Sequence, residues 1–222
     1  PGRTSYVPSS GHTDDSYTFE EWYSDIAQSE VYTGVKVNSM SVQLPASGLA
    51  TVDLGFVGRD LAQNGITQYF TAPTAQGTTG VLAAVNGVML VGGVPVALVT
   101  SADLSVERAT ENAMAVGSNS IAEIFTGRIR ASGNLSVYFQ DATFRNYYDL
   151  ETPVSIVFTM TQDNTPNSNA ISITLPKVKL GSFSKDDQEL GLVAQTSFTA
   201  LLNDISAPAL EATTVQLQDT SI

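Results

Sequence analysis

The sequence predicts a mainly β fold: an antiparallel sandwich or barrel with one flanking α-helix. Three observations predict it. From Gly127 to Asp141, Ile129, Ala131, Gly133, Leu135, Val137 and Phe139 alternate strictly with Arg128, Arg130, Ser132, Asn134, Ser136, Tyr138 and Gln140, the period of a half-buried strand. Directly after it, Phe144, Tyr147, Tyr148 and Leu150 recur at helical spacing within residues 142–151, which predicts a short amphipathic helix. A second alternating run, Val154 to Met160, then follows Pro153. About eight strands and one helix emerge along the chain, a count that fits layered β architecture with a helix at its side.

The elements follow in order. Residues 1–15 read as an N-terminal arm or linker, 16–203 as one β-sandwich domain, and 204–222 as a C-terminal arm. Ser16 to Glu20 is a short strand, followed by an apolar cluster of Phe19, Trp22, Tyr23 and Ile26. Val31 to Leu44 is a long strand with a phase slip. Val35 and Val37 share one parity, while Met40, Val42 and Leu44 share the other, so a bulge is expected near Asn38 and Ser39. Pro45 to Gly48 is a turn, and Ala50, Val52, Leu54 and Phe56 form the apolar face of the returning strand, making 31–57 a hairpin. Gly58 to Gly80 shows no sustained period and reads as a long functional loop.

Val81–Val91 and Val94–Val106 resume as strands around Gly92 and Gly93, and Arg108–Glu123 reads as a second irregular connection. After the strand–helix–strand unit, Asp163–Asn169 is a polar turn and Ile171–Phe183 a strand. Lys185–Gly191 is a turn, Leu192–Leu202 a long strand, and Thr213–Leu217 a weak one.

Composition narrows the function. The chain is 42% hydrophobic and only 14% charged, against roughly 25% charged in ordinary domains. Ten Lys and Arg face 22 Asp and Glu, a net charge of −12. Nucleic acid is held mainly by cations that neutralise phosphates, so this chain should not grip DNA or an anionic membrane. With no cysteine, disulfides and thiolate metal sites are excluded. No run approaches the roughly 18 apolar residues of a membrane-spanning helix. There is no initiator Met, which is expected of a processed or partial product.

Catalytic and metal motifs are weak throughout. His12 is the single histidine and sits in the N-terminal arm. The glycine spacing of Gly87 to Gly92 is Walker-like, but Gly93 stands where the lysine would be, so a hairpin is expected. Asp163, Thr165, Asn167 and Asn169 alternate as in a calcium loop, without its glycine at the sixth position or its glutamate at the twelfth; a plain turn is expected. Asn134–Leu135–Ser136 matches a glycosylation acceptor but lies mid-strand. The pairs Asp14–Asp15, Glu20–Glu21 and Asp186–Asp187 could be acid/base dyads, yet read more simply as solvated turn residues. No enzyme is expected, and no cofactor or metal.

Three segments together carry a family resemblance: SYTFEEWYSDIAQSEVYTGVKVNSMSVQLPASGLATVDLGFVGRD (16–60), VALVTSADLSVERATENAMAVGSNSIAEIFTGRIRASGNLSVYFQDATFRNYYDLET (96–152) and ISITLPKVKL (171–180). The chain resembles the tail tube (major tail) proteins of long, non-contractile-tailed bacteriophages. The resemblance implies a virion protein assembled in the host cytoplasm. Six copies would form a ring whose inner strands join into a β-barrel, and stacked rings would make a tube that conducts genomic DNA without binding it. Partners would be further copies and the tail terminator, tail tip and tape-measure proteins. Two alternatives stand beside it: a carbohydrate- or receptor-binding β-sandwich of a virion, with Trp22, Tyr147 and Tyr148 as its aromatic platform, and a secretion-system tube protein.

On this reading two sets of residues matter. Asp103 and Glu107 share a face with Ser101 and Ser105, opposite Ala102, Leu104 and Val106, and Asp53 opposes Val52 and Leu54. These three acids are expected to face the lumen. In the loop 58–80, Arg59, Asp60, Gln63, Asn64, Gln68, Tyr69 and Phe70 are expected to contact neighbouring subunits, between rings.

Overall fold

The computed structural model describes residues 3–8, 15–75, 77, 80, 82, 86–96, 99–163, 165, 168–188, 191–204 and 212–220, with the backbone alone at 63, 64, 187 and 188. The architecture is mainly β, antiparallel, with one helix. In chain order the elements are β1 (Thr4–Tyr6), β2 (Tyr17–Tyr23), β3 (Gln28–Pro45), β4 (Thr51–Val57), β5 (Asp60–Gly65), β6 (Val88–Val91), β7 (Val94–Pro95), β8 (Val99–Met114), β9 (Ile121–Tyr138), α1 (Thr143–Asp149), β10 (Val154–Thr161), β11 (Ala170–Gln188), β12 (Gly191–Ala200) and β13 (Gln216–Asp219).

One sheet carries the fold, in the order β4-β3-β8-β9-β12-β11-β10-β6-β7. It rolls around a single core, because Val42, Leu104, Leu135, Phe198, Leu175, Ile156 and Met89, from seven different strands, belong to one buried cluster. The alternation that predicts β9 is the one observed. Ala131, Leu135 and Val137 are buried, Ile129 and Phe139 pack against the core, and the even-numbered residues face away. Gly133 occupies a core position for a steric reason. A Cβ there would overlap the Asp103 carbonyl and lie 2.7 Å from the Phe198 ring, so the missing side chain is what lets Phe198 fill the centre.

The slip in β3 is real: its register against β4 shifts between Val37 and Ser39, as the change of parity requires. The bulge also divides the strand. Residues 39–45 pair with β8, whereas residues 28–35 leave the main sheet and join β2 and β5 in a three-stranded arm.

Several expectations shift. The stretch 108–123 is not irregular. β8 continues to Met114 and β9 starts at Ile121, so the two form a long two-stranded ribbon past the edge of the core. Polar Arg108, Thr110, Glu111, Asn112 and Glu123 interrupt any apolar alternation in the sequence that would mark it. The long loop starts with a strand, β5, paired to β3. The turn at 185–191 is narrower, because β11 runs to Gln188. Within Val94–Val106, β7 ends at Pro95 and β8 begins at Val99, with residues 97 and 98 outside the described residues; the first part of Val81–Val91 falls largely outside them too. β1 lies within the expected N-terminal arm and pairs with β13, which in turn pairs with β11. In α1, Phe144 and Tyr147 pack on the core, but Leu150 stays exposed. His12, Asp14 and Asn167 lie outside the described residues.

Candidate functional site: a polar sheet face and its edges

The side of the sheet turned away from the core is a wall of small polar residues, and register places them in rows. One row runs Asp53, Ser41, Ser105, Ser132, Thr199 and Lys179 across β4, β3, β8, β9, β12 and β11. The next runs Thr51, Gln43, Asp103, Asn134, Ser197 and Ser182. The structure therefore brings Asp53, Asp103 and Glu107 onto one face, as their alternation implies. Glu107 lies directly across from Ser39 on one side and Arg130 on the other.

The wall is knitted by its own side chains. Asn134 Nδ2 donates to both Asp103 carboxylate oxygens at 3.2 and 3.3 Å, and the Ser182 and Ser197 hydroxyls are 2.8 Å apart. Lys179 donates to Glu151 at 2.7 Å; this bond holds the Glu151 carboxyl below its ordinary value. Sequence reasoning picked out the acids here but passed over Arg130 and Lys179. The alternation in β9 already put Arg130 on the polar side, so the signal was present.

The wall ends in an edge at β4. No described strand pairs with its outer side, and Val52, Leu54 and Phe56, which face the core side, are 54%, 51% and 42% exposed. These were expected to be the buried face of a hairpin strand. They point the right way, but the core stops at β3, leaving Val52 and Leu54 bare and Phe56 against the Phe19 ring, edge to face at 4.8 Å. At the other end of the wall, β11 beyond Val178 pairs only with β12 among the described strands. Its core side there carries Leu180 and Phe183, and its polar side carries Ser182 and Ser184.

The loop residues divide into two groups. Arg59 Nε donates to the Ile121 carbonyl at 3.1 Å, tying the β4–β5 corner to the ribbon of the same subunit. Its stem covers Gly34, whose φ of +61° and lack of Cβ make room for it. Asp60 accepts from the Leu61 amide at 3.0 Å, and Gln63 and Asn64 lie in β5. Gln68, Tyr69 and Phe70 are exposed beyond it, the two rings edge to face at 4.9 Å.

Glu20, which sequence reasoning left as a solvated acid, holds that segment. It accepts from Ser29 Oγ at 2.6 Å, the Tyr69 amide at 2.6 Å and the Phe70 amide at 2.9 Å. Burial pushes its carboxyl up, but the three donors outweigh this and its pKa is lowered. Glu21 lies on the opposite face of β2 and accepts from Tyr23 at 2.8 Å, so the two acids are not a dyad. Asp163 caps its own turn, accepting from the Thr165 amide at 2.8 Å. Among the described residues no group of three His, Cys, Asp or Glu could hold a metal ion, and no helix is long and apolar enough to cross a membrane.

A broad, shallow, self-bonded wall with bare strand edges offers surface for assembly rather than a cleft for a substrate. That is the build of a structural subunit. A family model described as phage tail tube protein matches residues 3–202, and the chain belongs to that family. It is a structural component of the virion tail that assembles with copies of itself and with other tail proteins. No curated protein matches the chain.

Proposed function

We propose that this subunit builds the tube of a long, non-contractile tail as stacked homo-hexameric rings, with the polar wall lining the lumen through which genomic DNA leaves. The observation that carries this is the pair of unpaired edges on one wall. If β4 of one copy pairs with β11 of the next, Val52, Leu54 and Phe56 meet the side bearing Leu180 and Phe183. Thr51 and Asp53 then continue the row of Ser182 and Ser184. Apolar meets apolar and small polar meets small polar, so the alternation is unbroken across the joint. The contact is heterologous, and such contacts close into rings when the rotation allows. Ring closure also removes the exposed edges that would otherwise invite aggregation.

The wall suits passing DNA. Small hydroxyl residues give a smooth lining, and Asp53, Asp103 and Glu107 offset Arg128, Arg130 and Lys179 on the same face, so the wall offers no unopposed row of cations to grip phosphates. In this reading the tube grows in the host cytoplasm between a tail tip and a terminator, around a tape-measure protein, and the Gln68–Phe70 segment meets the next ring. A carbohydrate-binding module would need a shared aromatic platform, but Trp22 is on β2 while Tyr147 is packed against the core.

Electron microscopy of purified protein at high concentration tests the proposal. Hollow tubes with six-fold end views are expected. Monodisperse monomers, with the chain complete at both ends, would overturn it. Deleting residues 63–76 should leave rings but abolish tubes.

A further inference from the structure

An apolar tip and a cavity lie at opposite ends of the same pair of strands. At the far end of the β8–β9 ribbon the chain turns through Met114, Ala115, Val116 and Gly117. Met114 is 70% exposed and Val116 fully so, and no charge lies between Glu111 and Glu123. At the near end, where β8 begins, a cavity of about 220 Å³ opens between Leu44, Val88, Met89, Val99, Phe158 and Met160. Its exposed lining is about as polar as it is apolar. A site of roughly 150 Å³ takes a benzene ring, so this open cavity has room for one valine or methionine side chain.

The two cannot meet within one molecule. β8 spans 16 residues, about 50 Å at 3.3 Å per residue. Among the described residues, the ribbon and the β2–β3–β5 arm both leave the main sheet at the ribbon end. A knob at one end and a hole at the other end of one rigid element is the arrangement that propagates without limit, since a heterologous contact that does not close gives an open filament.

We propose that the tip Met114–Val116 of each subunit plugs into the Leu44–Val88–Phe158 cavity of a subunit in the next ring, so that ribbon and cavity set the direction of stacking. This rests on the stacked-ring reading above. It names a contact distinct from the β4 edge, which acts within a ring.

The absence of native cysteine makes a clean test possible. Tagged Val116→Cys protein is co-assembled with untagged Val88→Cys protein, Val88 being at the cavity rim and 51% exposed. A disulfide needs Cα atoms within about 7 Å. Oxidation of tubes is expected to give a mixed disulfide between the two proteins, and none when Val116→Cys is paired with Thr199→Cys on the polar wall. In parallel, Val116→Asp should fold and form rings but yield less than a tenth of the wild-type tube mass. Tubes without the mixed disulfide, or Val116→Asp tubes in wild-type yield, would overturn the tip contact and leave the tube reading standing. Wild-type protein that forms neither rings nor tubes would overturn both.

Discussion

Lys36 Nζ lies 3.2 Å from Glu123 Oε1 and donates to the Ile124 carbonyl at 2.8 Å, bridging the gap where β3 parts from the ribbon. Lys36 is nearly buried, at 12% side-chain exposure, and Ile124 beneath it is 1% exposed. The bond from Lys36 holds the Glu123 carboxyl below its ordinary 4.5. A depressed carboxylate stabilises above its unfolded value and loses that contribution as pH falls through the folded one. Lys36→Met should therefore speed amide exchange across residues 110–125 several-fold at neutral pH, with β10 and β12 unchanged. Uniform protection in both proteins would show that the bridge does not hold the ribbon.

Glu20 has the same sign. Its pKa is lowered from 4.5, so the bonds to the Tyr69 and Phe70 amides are present at neutral pH and break only as pH drops below that value. The amide resonances of Tyr69 and Phe70 should titrate together, with a midpoint below 4.5. Glu20→Gln should abolish the titration and shift both amides at pH 7. An unchanged titration in the variant would assign it to another group.

Gly133→Ala should be among the most damaging single methyl additions in the chain. The new Cβ would strike backbone at Asp103 and the Phe198 ring, and neither can yield without breaking a central strand pair. Overpacking of this kind costs about 3 kcal/mol or more, which lowers Tm by roughly 6–12 °C in a domain of this size. Calorimetry reads the difference directly.

Leu54 and Leu175 separate assembly from folding. Leu175 is 0% exposed and Leu54 51%. Leu175→Ala should cost about 2–5 kcal/mol of stability. Leu54→Asp should leave subunit stability within about 0.5 kcal/mol yet abolish rings in sedimentation. Rings from Leu54→Asp would rule out the β4 edge as the joint.

Asp103 and Glu107, on the wall proposed to line the lumen, invite a charge reversal. Asp103→Lys with Glu107→Lys should permit assembly but make tubes retain DNA, with slowed ejection that high salt partly relieves. Screening over about 8 Å at physiological salt confines the effect to wall residues. Wild-type ejection kinetics from correctly assembled particles would place these residues off the lumen.

Strands that border the core were legible in the sequence, because one buried face forces alternation. β9, β10 and the bulged β3 all show it. β4 was legible in phase but not in burial: Val52, Leu54 and Phe56 alternate as a buried face does, and nothing local says that the core stops at β3. The ribbon was hidden for the opposite reason, since Glu107, Arg108, Glu111 and Asn112 leave polar groups on both faces. The tie made by Glu20 depends on a contact with residues 69 and 70, far along the chain, and a pair of adjacent glutamates carries no trace of it. Asp103 and Glu107 were placed together by parity alone, while their partners Asn134 and Arg130 needed the register of β8 against β9.

The pairing of β1 with β13 has a consequence for biogenesis. Gln216 donates to Ser5 across 211 residues of sequence, and β13 also lies against β11. A chain emerging from the ribosome has made β1 long before β13, its partner, exists. Non-local pairing of this kind folds slowly. The β1–β13 contact thus closes only after β11, against which β13 lies, has been made.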